Sequence, residues 1–231
     1  MIWITGDTHG DFGRYAAFTH THHPTEEDLM IVLGDAGLNV YGGAHDTAHK
    51  RFVNSVPFTT FCIHGNHEQR PFDIPSYRTK EFCGGTVWYE EAYPRILFAK
   101  DGELYRFGEL SCLVIGGAYS VDKPFRLARG WAWFDNEQPS DDIRRRVEEQ
   151  LAAHDYRVDV VLSHTCPLSY EPTEVFLPWL DQSDIDKSTE RWLGELESRL
   201  HYRKWYCGHF HTEKTVDRLR FLYETIEPFG V

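Results

Sequence analysis

The sequence predicts an α/β fold, and three observations carry that prediction. In the first third, short apolar runs alternate with helix-like stretches, as in βαβ units. From Thr86 to Gly116 the rhythm changes to short strands separated by turns, the pattern of an antiparallel meander. Finally, five apolar runs end in short polar groups rich in Asp and His. Open α/β sheets carry their sites at such carboxyl ends, where loops from several strands converge.

Taken in order, residues 1–4 form the first strand and lead into Asp7-Thr8-His9. A helix is expected over residues 12–21, then a strand over 29–33 that ends in Gly34-Asp35. A second helix over 44–53 precedes a strand over 60–63 and the turn Gly65-Asn66-His67-Glu68. In the meander, Lys100-Asp101-Gly102 separates runs at 96–99 and 104–107, which reads as completing one sheet and starting a second. Ser140 begins a helix whose first turn holds Asp141 and Asp142, suited to the helix dipole. Its apolar positions Ile143, Val147 and Leu151 recur every four residues, the stripe of a helix lying on a sheet. A strand over 158–162 ends at His164, and a helix over 188–200 presents Trp192, Leu193, Leu196 and Leu200. The run 205–207 ends in Gly208-His209-Phe210-His211.

A lone His after a strand is ordinarily a hydrogen-bonded loop residue. Five polar groups, each after an apolar run, are not explained by independent decoration. Together they offer two carboxylates, an amide oxygen and several imidazoles, enough for two metal ions that share a bridging carboxylate. A structural zinc site fits poorly, since such sites favour cysteine-rich sets at short spacings. Of the carboxylates, Asp35 suits the bridge, because two neighbouring cations need an anion between them. Asp7 with His9, and His209 with His211, are spaced to clamp one centre from a single loop. Glycines 6, 34, 65 and 208 precede these groups and permit backbone conformations that other residues resist.

Composition bounds the reading. At 231 residues, with no linker, low-complexity tract or repeat, the chain is expected to form one domain over 1–231. Lys and Arg total 24 against 36 Asp and Glu, a formal charge of −12, which disfavours extended docking on nucleic-acid backbone. The five cysteines are scattered, with no Cys-x-x-Cys pair, as expected in a reducing compartment. No apolar run approaches the roughly 20 residues of a membrane helix. The first strand begins at Ile2 and the Asp7 group follows at once, so a cleaved leader is not expected; the location expected is cytoplasmic.

The ordered set Asp-x-His, Gly-Asp, Gly-Asn-His-Glu, a lone His and Gly-His-x-His resembles the calcineurin-like metallophosphoesterases. The likeness runs from Asp7 to His211. It implies a four-layer α/β/β/α sandwich with two mixed sheets and a two-metal centre at the strand ends. Carried over by motif, Asp7, His9 and His211 would hold one divalent ion, and Asn66, His164 and His209 the other, with Asp35 bridging. His67 would stand beside them as the catalytic group that is not a ligand, acting on the leaving oxygen while a metal-activated water attacks phosphorus. Mixed oxygen and imidazole ligands accept Mn, Fe, Zn or Co. The substrate implied is a small phosphate mono- or diester; the oligomeric state is not specified.

The chain also departs from the family's phosphoprotein-phosphatase branch, which extends its second motif as Gly-Asp-x-Val-Asp-Arg-Gly. Here Leu38 stands at the second aspartate and Asn39 at the phosphate-binding arginine, although the opening Gly6 to Gly10 resembles that branch. Asn39 therefore marks one substrate-binding position. Arg126, in the unusual segment from Gly116 onward, is the candidate replacement. That segment continues into Trp131-Ala132-Trp133-Phe134 and reads either as a substrate wall or as a packed loop with a hydrophobic lid; residues 171–179, rich in proline and aromatics, form another candidate rim. Two alternatives are a phosphoprotein phosphatase and a catalytically silent regulatory protein of the same fold. Amidohydrolases typically carry His-x-His near the amino terminus, and metallo-β-lactamase-like hydrolases want His-x-His-x-Asp-His in one run; neither pattern matches.

Overall fold

In the computed structural model, which describes residues 1–178 and 181–231, the apolar runs become strands of two mixed sheets. The strands are β1 (Ile2–Thr5), β2 (Leu29–Val32), β3 (Thr59–Cys62), β4 (Tyr77–Phe82), β5 (Gly85–Glu90), β6 (Ile96–Ala99) and β7 (Leu104–Phe107). They continue with β8 (Leu110–Ile115), β9 (Val160–Ser163), β10 (Lys204–Cys207), β11 (Lys214–Val216), β12 (Leu219–Phe221) and β13 (Glu227–Pro228). Among the described residues five α-helices accompany them: α1 (Gly13–His22), α2 (Gly43–Ser55), α3 (Lys123–Arg129), α4 (Asp141–Ala153) and α5 (Ser188–Glu197). One sheet runs β13-β1-β2-β3-β6-β5-β4 and the other β11-β12-β10-β9-β8-β7.

Alternation of side chains along the strands builds three apolar layers. In β2 and the residue after it, Leu29, Ile31 and Leu33 turn inward to meet Val114, Val160, Leu162 and Tyr206 of the opposite sheet. Met30 and Val32 turn outward, against Tyr15 and Phe18 of α1 and Val53 of α2. On the far side, Leu113, Val161 and Trp205 pack under Val147 and Leu151 of α4 and Trp192, Leu193 and Leu196 of α5. The order is helix, sheet, sheet, helix. Strands buried on both faces read as continuous apolar runs, which is why they stand out in the sequence. Each buried Leu, Ile or Phe contributes about 1.5–3 kcal/mol.

This topology positions the polar groups. Strands β1, β2 and β3 are parallel, as are β8, β9 and β10, so the loops that follow them leave from the carboxyl ends of each set. Backbone hydrogen bonds join those loops: His9 N–H donates to Asp35 O at 2.8 Å, Gly208 N–H to His164 O at 3.0 Å, and Gly117 N–H to His64 O at 2.8 Å. The last of these ties one sheet to the other.

Several features were not anticipated. Strand β4 pairs with β5, β11 pairs antiparallel with β12, and β13 adds a two-residue edge to β1. Lys100-Asp101-Gly102, by contrast, does end one sheet and start the other, as expected, and is held because Asp101 Oδ1 accepts from Gly116 N–H at 2.6 Å and its other oxygen pairs with Arg70. The segment after Gly116 contains α3 where an irregular loop was expected. Pro124 sits in its first turn and Gly130 closes it at φ 65°, a start-and-stop signal present in the sequence. Trp179, part of the second expected rim, lies outside the described residues. Among the described residues no helix is long and apolar enough to cross a membrane.

Candidate metal centre

Four of the seven expected ligands adopt left-handed backbone: His9 at φ 47°, Asp35 at 46°, His209 at 64° and His211 at 48°. Each such residue costs about 1 kcal/mol or more, and His and Asp are among the side chains most often found there. The preceding glycines act differently from the sequence expectation. Only Gly34, at φ 100°, has a positive dihedral; Gly6, Gly65 and Gly208 do not. Their role is close approach. A Cβ on Gly65 would lie 1.9 Å from Asp35 Oδ1, on Gly208 2.2 Å from Asp7 Oδ1, on Gly34 2.1 Å from His164 Nδ1, and on Gly6 2.1 Å from Leu222 O.

The folded chain brings Asp7, His9, Asp35, Asn66, His164, His209 and His211 together. One donor set, Asp7, His9 and His211, and a second, Asp7, Asp35 and His164, each have donor atoms within 4.8 Å of one another. Asp35 Oδ1 accepts from His67 N–H at 2.8 Å, which aims Oδ2 inward. That oxygen lies 3.7 Å from His164 Nε2, 3.9 Å from His9 Nδ1 and 4.0 Å from His67 Nε2. Burial acts to raise the Asp35 carboxyl, but the imidazoles of His164, His67 and His9 hold it below the usual carboxylate range. It is the central anion of the cluster.

The fit to cations rests on how potential donor atoms converge. His164 Nδ1–H donates to Leu33 O at 2.7 Å, which turns Nε2 toward Asn66 Oδ1, 2.7 Å away. The amide cannot answer with a proton, because its Nδ2 donates to Ser120 Oγ at 2.8 Å. His209 Nδ1 approaches the same Asn66 oxygen at 3.1 Å, and burial pushes His209 down to about 3, which favours its neutral ring. Two ring nitrogens and a carbonyl oxygen thus converge on one point. At the other side His9 Nε2 and His211 Nε2 lie 2.9 Å apart, with Asp7 Oδ2 buried, unpartnered and 3.3 Å from His211 Nε2. The Asp7 carboxylate beside it raises His211, against burial, and Tyr223 stacks on its ring at 4.4 Å. Two clusters of potential donor atoms around two carboxylates could hold divalent cations.

His67 is on the wall of this cluster, 21% exposed, with its ring edge-on to His9 at 5.7 Å. Burial lowers its basicity; Asp35 opposes that, Arg126 adds to it, and Asp122 opposes it. Behind it Glu68 is fully buried and accepts from Gly65 N–H at 3.2 Å. Burial, with Asp35 nearby, pushes its carboxyl up to about 8.

The two expected substrate positions part company. Arg126 lines the cavity with His9, Asp35 and His67; its Nε donates to Asp122 Oδ2 at 2.7 Å and Nη1 to Ala132 O at 3.1 Å. Asn39 is buried and lines none of it: its Oδ1 accepts from the Tyr77 hydroxyl at 3.0 Å, and Leu38 beside it is wholly buried. Sequence reasoning also missed a support for Asn66. Ser120 Oγ holds its amide, Ser120 N–H donates to Glu137 Oε1 at 3.1 Å, and Trp133 Nε1–H donates to Glu137 Oε2 at 2.8 Å. The segment singled out as a substrate wall therefore also orients an expected ligand. Nothing in its local pattern pointed to that contact, which joins residues 54 apart in the chain.

The family model for calcineurin-like phosphoesterases matches residues 1–213. The chain belongs to this family. Membership assigns it to the metal-dependent phosphoesterases and accords with the two mixed sheets flanked by helices. Among solved structures it is similar to the TT1561 protein of Thermus thermophilus, at 12% identity and a TM-score of 0.48, over 96% of this chain and 87% of that one. No curated protein matches the sequence.

Proposed function

We propose that this phosphoesterase uses two divalent cations to hydrolyse a small phosphate ester, working as one domain over 1–231. Asp7, His9 and His211 would hold one ion and Asn66, His164 and His209 the other, with Asp35 shared between them. The observation that carries the reading is the pair of close approaches between potential donor atoms, Asn66 Oδ1 with His164 Nε2 at 2.7 Å and His9 Nε2 with His211 Nε2 at 2.9 Å, beside Asp7 and Asp35. Such ions, Mn, Fe, Zn or Co by ligand type, supply an acidified water and charge neutralisation on phosphoryl oxygens.

The chain's own residues do the remainder. Asp35 is held in place by the His67 backbone N–H, and His164 by the Leu33 carbonyl, so neither needs to reorganise. His67 reaches the cavity without being a ligand and gives a proton to the oxygen that leaves phosphorus. Arg126, fixed by Asp122, faces the same space and contacts the phosphoryl group. The free state of all five cysteines supports a reducing, cytoplasmic setting.

Elemental analysis after reconstitution with manganese tests the reading. Two ions per chain are expected for the wild type and fewer than one for Asp35→Asn, with hydrolysis of p-nitrophenyl esters lost in the variant. One ion or none in the wild type would overturn it.

A further inference from the structure

The space around the proposed centre opens on two sides. On one side a cavity of about 570 Å³ begins at His9, Asp35, Asn66 and His67. It continues along an apolar wall of Val121, Val175, Phe176, Leu177, Ile185 and Phe210. The rings of Phe176 and Phe210 stack there, with centroids 6.2 Å apart and 20° between planes. On the other side a pocket of about 130 Å³ shares His9, Asp35, His67 and Arg126 with the first and adds Tyr41, His45 and His49. Those three rings meet edge-on at 4.7 and 4.6 Å, and His49 Nδ1–H donates to Gly37 O at 3.0 Å, which fixes its ring.

Two spaces that meet at the same four residues match a phosphorus atom bearing two substituents. A monoester has one substituent and leaves one space without a use. Charge points the same way. A monoester is close to a dianion at neutral pH, its second pKa being about 6, whereas a diester carries a single charge. The two cations on the larger cavity already have anionic partners: Arg126 is bound to Asp122 and Lys187 to Glu171, each at 2.7 Å. Size sets the order of the arms. At roughly 30 Å³ per water the smaller pocket holds about four waters' worth, room for one ring or a short chain.

We propose that the substrate class is a phosphodiester with a bulky planar or apolar arm along the Phe176–Phe210 wall and a short arm against Tyr41, His45 and His49. This rests on the two-cation phosphoesterase reading. In the hydrolysis, water oxygen ends on phosphorus and one ester P–O bond breaks. The departing oxygen keeps the bonding pair and takes a proton, and a phosphate monoester of the other arm is released.

The test uses manganese-loaded protein and two probes whose P–C bonds resist hydrolysis: diphenylphosphinate, with two arms, and phenylphosphonate, with one. Calorimetry is expected to show diphenylphosphinate binding tighter by roughly tenfold or more. His45→Trp, which fills the smaller pocket from an exposed helix position, is expected to narrow that ratio to about threefold or less. In parallel, bis-p-nitrophenyl phosphate should exceed p-nitrophenyl phosphate in kcat/KM. Phenylphosphonate binding as tightly as the two-armed probe overturns the proposal, as does a ratio unmoved in a folded His45→Trp protein. If that variant fails to fold, the wild-type ratio alone decides. Failure of the protein to bind manganese, read before either probe is added, would instead overturn the underlying metal reading.

Discussion

Ser120→Ala isolates the support of one proposed ligand. The Ser120 side chain is 1% exposed and its hydroxyl accepts from Asn66 Nδ2 at 2.8 Å. Alanine removes that oxygen and little else, since the link from Ser120 N–H to Glu137 is through the backbone. The Asn66 amide then has a buried donor without a partner, a cost of about 1–3 kcal/mol. It is also free to turn its oxygen away from His164 and His209. At 1.36 kcal/mol per decade this is roughly a 10–100-fold loss of metal affinity, the range seen when a ligand's outer partner is removed. The loss should fall on one site only, because Asp7, His9 and His211 make no hydrogen bond to Ser120 among the described residues. Calorimetric titration of metal-stripped protein with manganese reads both sites in one experiment. One phase should weaken and the other stay, and Ser120→Thr, which keeps the hydroxyl, should restore the first. Equal weakening of both phases, or none, would refute the reasoning.

Three further outcomes are expected. His67→Ala should retain its metals while turnover on a poor leaving group falls about 10²–10⁴-fold, the scale of general acid catalysis; metal loss on elemental analysis would assign it to the ligand set instead. Gly65→Ala would place a Cβ 1.9 Å from Asp35 Oδ1 and 2.2 Å from Asp35 N, so both metal-binding phases should weaken together by about tenfold or more while circular dichroism is preserved. Glu190 is lifted by burial from 4.5 to about 7 while accepting from Thr165 Oγ1. An acid raised on folding holds its proton longer in the folded state, so its cost is absent below the unfolded value and grows as pH rises towards 7. Glu190→Gln should change stability little near pH 4.5 and add about 3 kcal/mol at pH 8, read from denaturant unfolding; the same effect at both pH values would show that the carboxyl is not the cause.

The strands and their polar ends were legible because strands buried on both faces have no alternation to blur them, and because each ends in a short group of unusual composition. Helix α4 announced itself through the Ser140 cap, whose Oγ accepts from Ile143 N–H at 3.3 Å. Strand β4 was obscured because only Tyr77 of its six residues is buried, so Arg78, Lys80 and Glu81 give it the composition of a loop. The gathering of the proposed ligand residues at one edge followed from strand order alone. What did not follow were contacts between distant segments, such as Ser120 with Asn66 or Tyr77 with Asn39, since hydrogen bonds across loops leave no periodic trace. Asn39 was placed by motif position, and the motif says nothing about the Tyr77 hydroxyl that draws it inward.

The bare glycines interlock the five motifs. Gly208 clears the space occupied by Asp7, Gly34 that of His164, and Gly65 that of Asp35, so each makes room for a residue supplied by a different loop. A methyl group added to one segment is felt by a side chain as many as 201 positions away, where no neighbouring substitution can absorb it. Grafting such a centre onto another scaffold would therefore require all five loops to be moved as one block, glycines included. Helices α2 and α3, which carry His45, His49 and Arg126 to the same space, would have to travel with them.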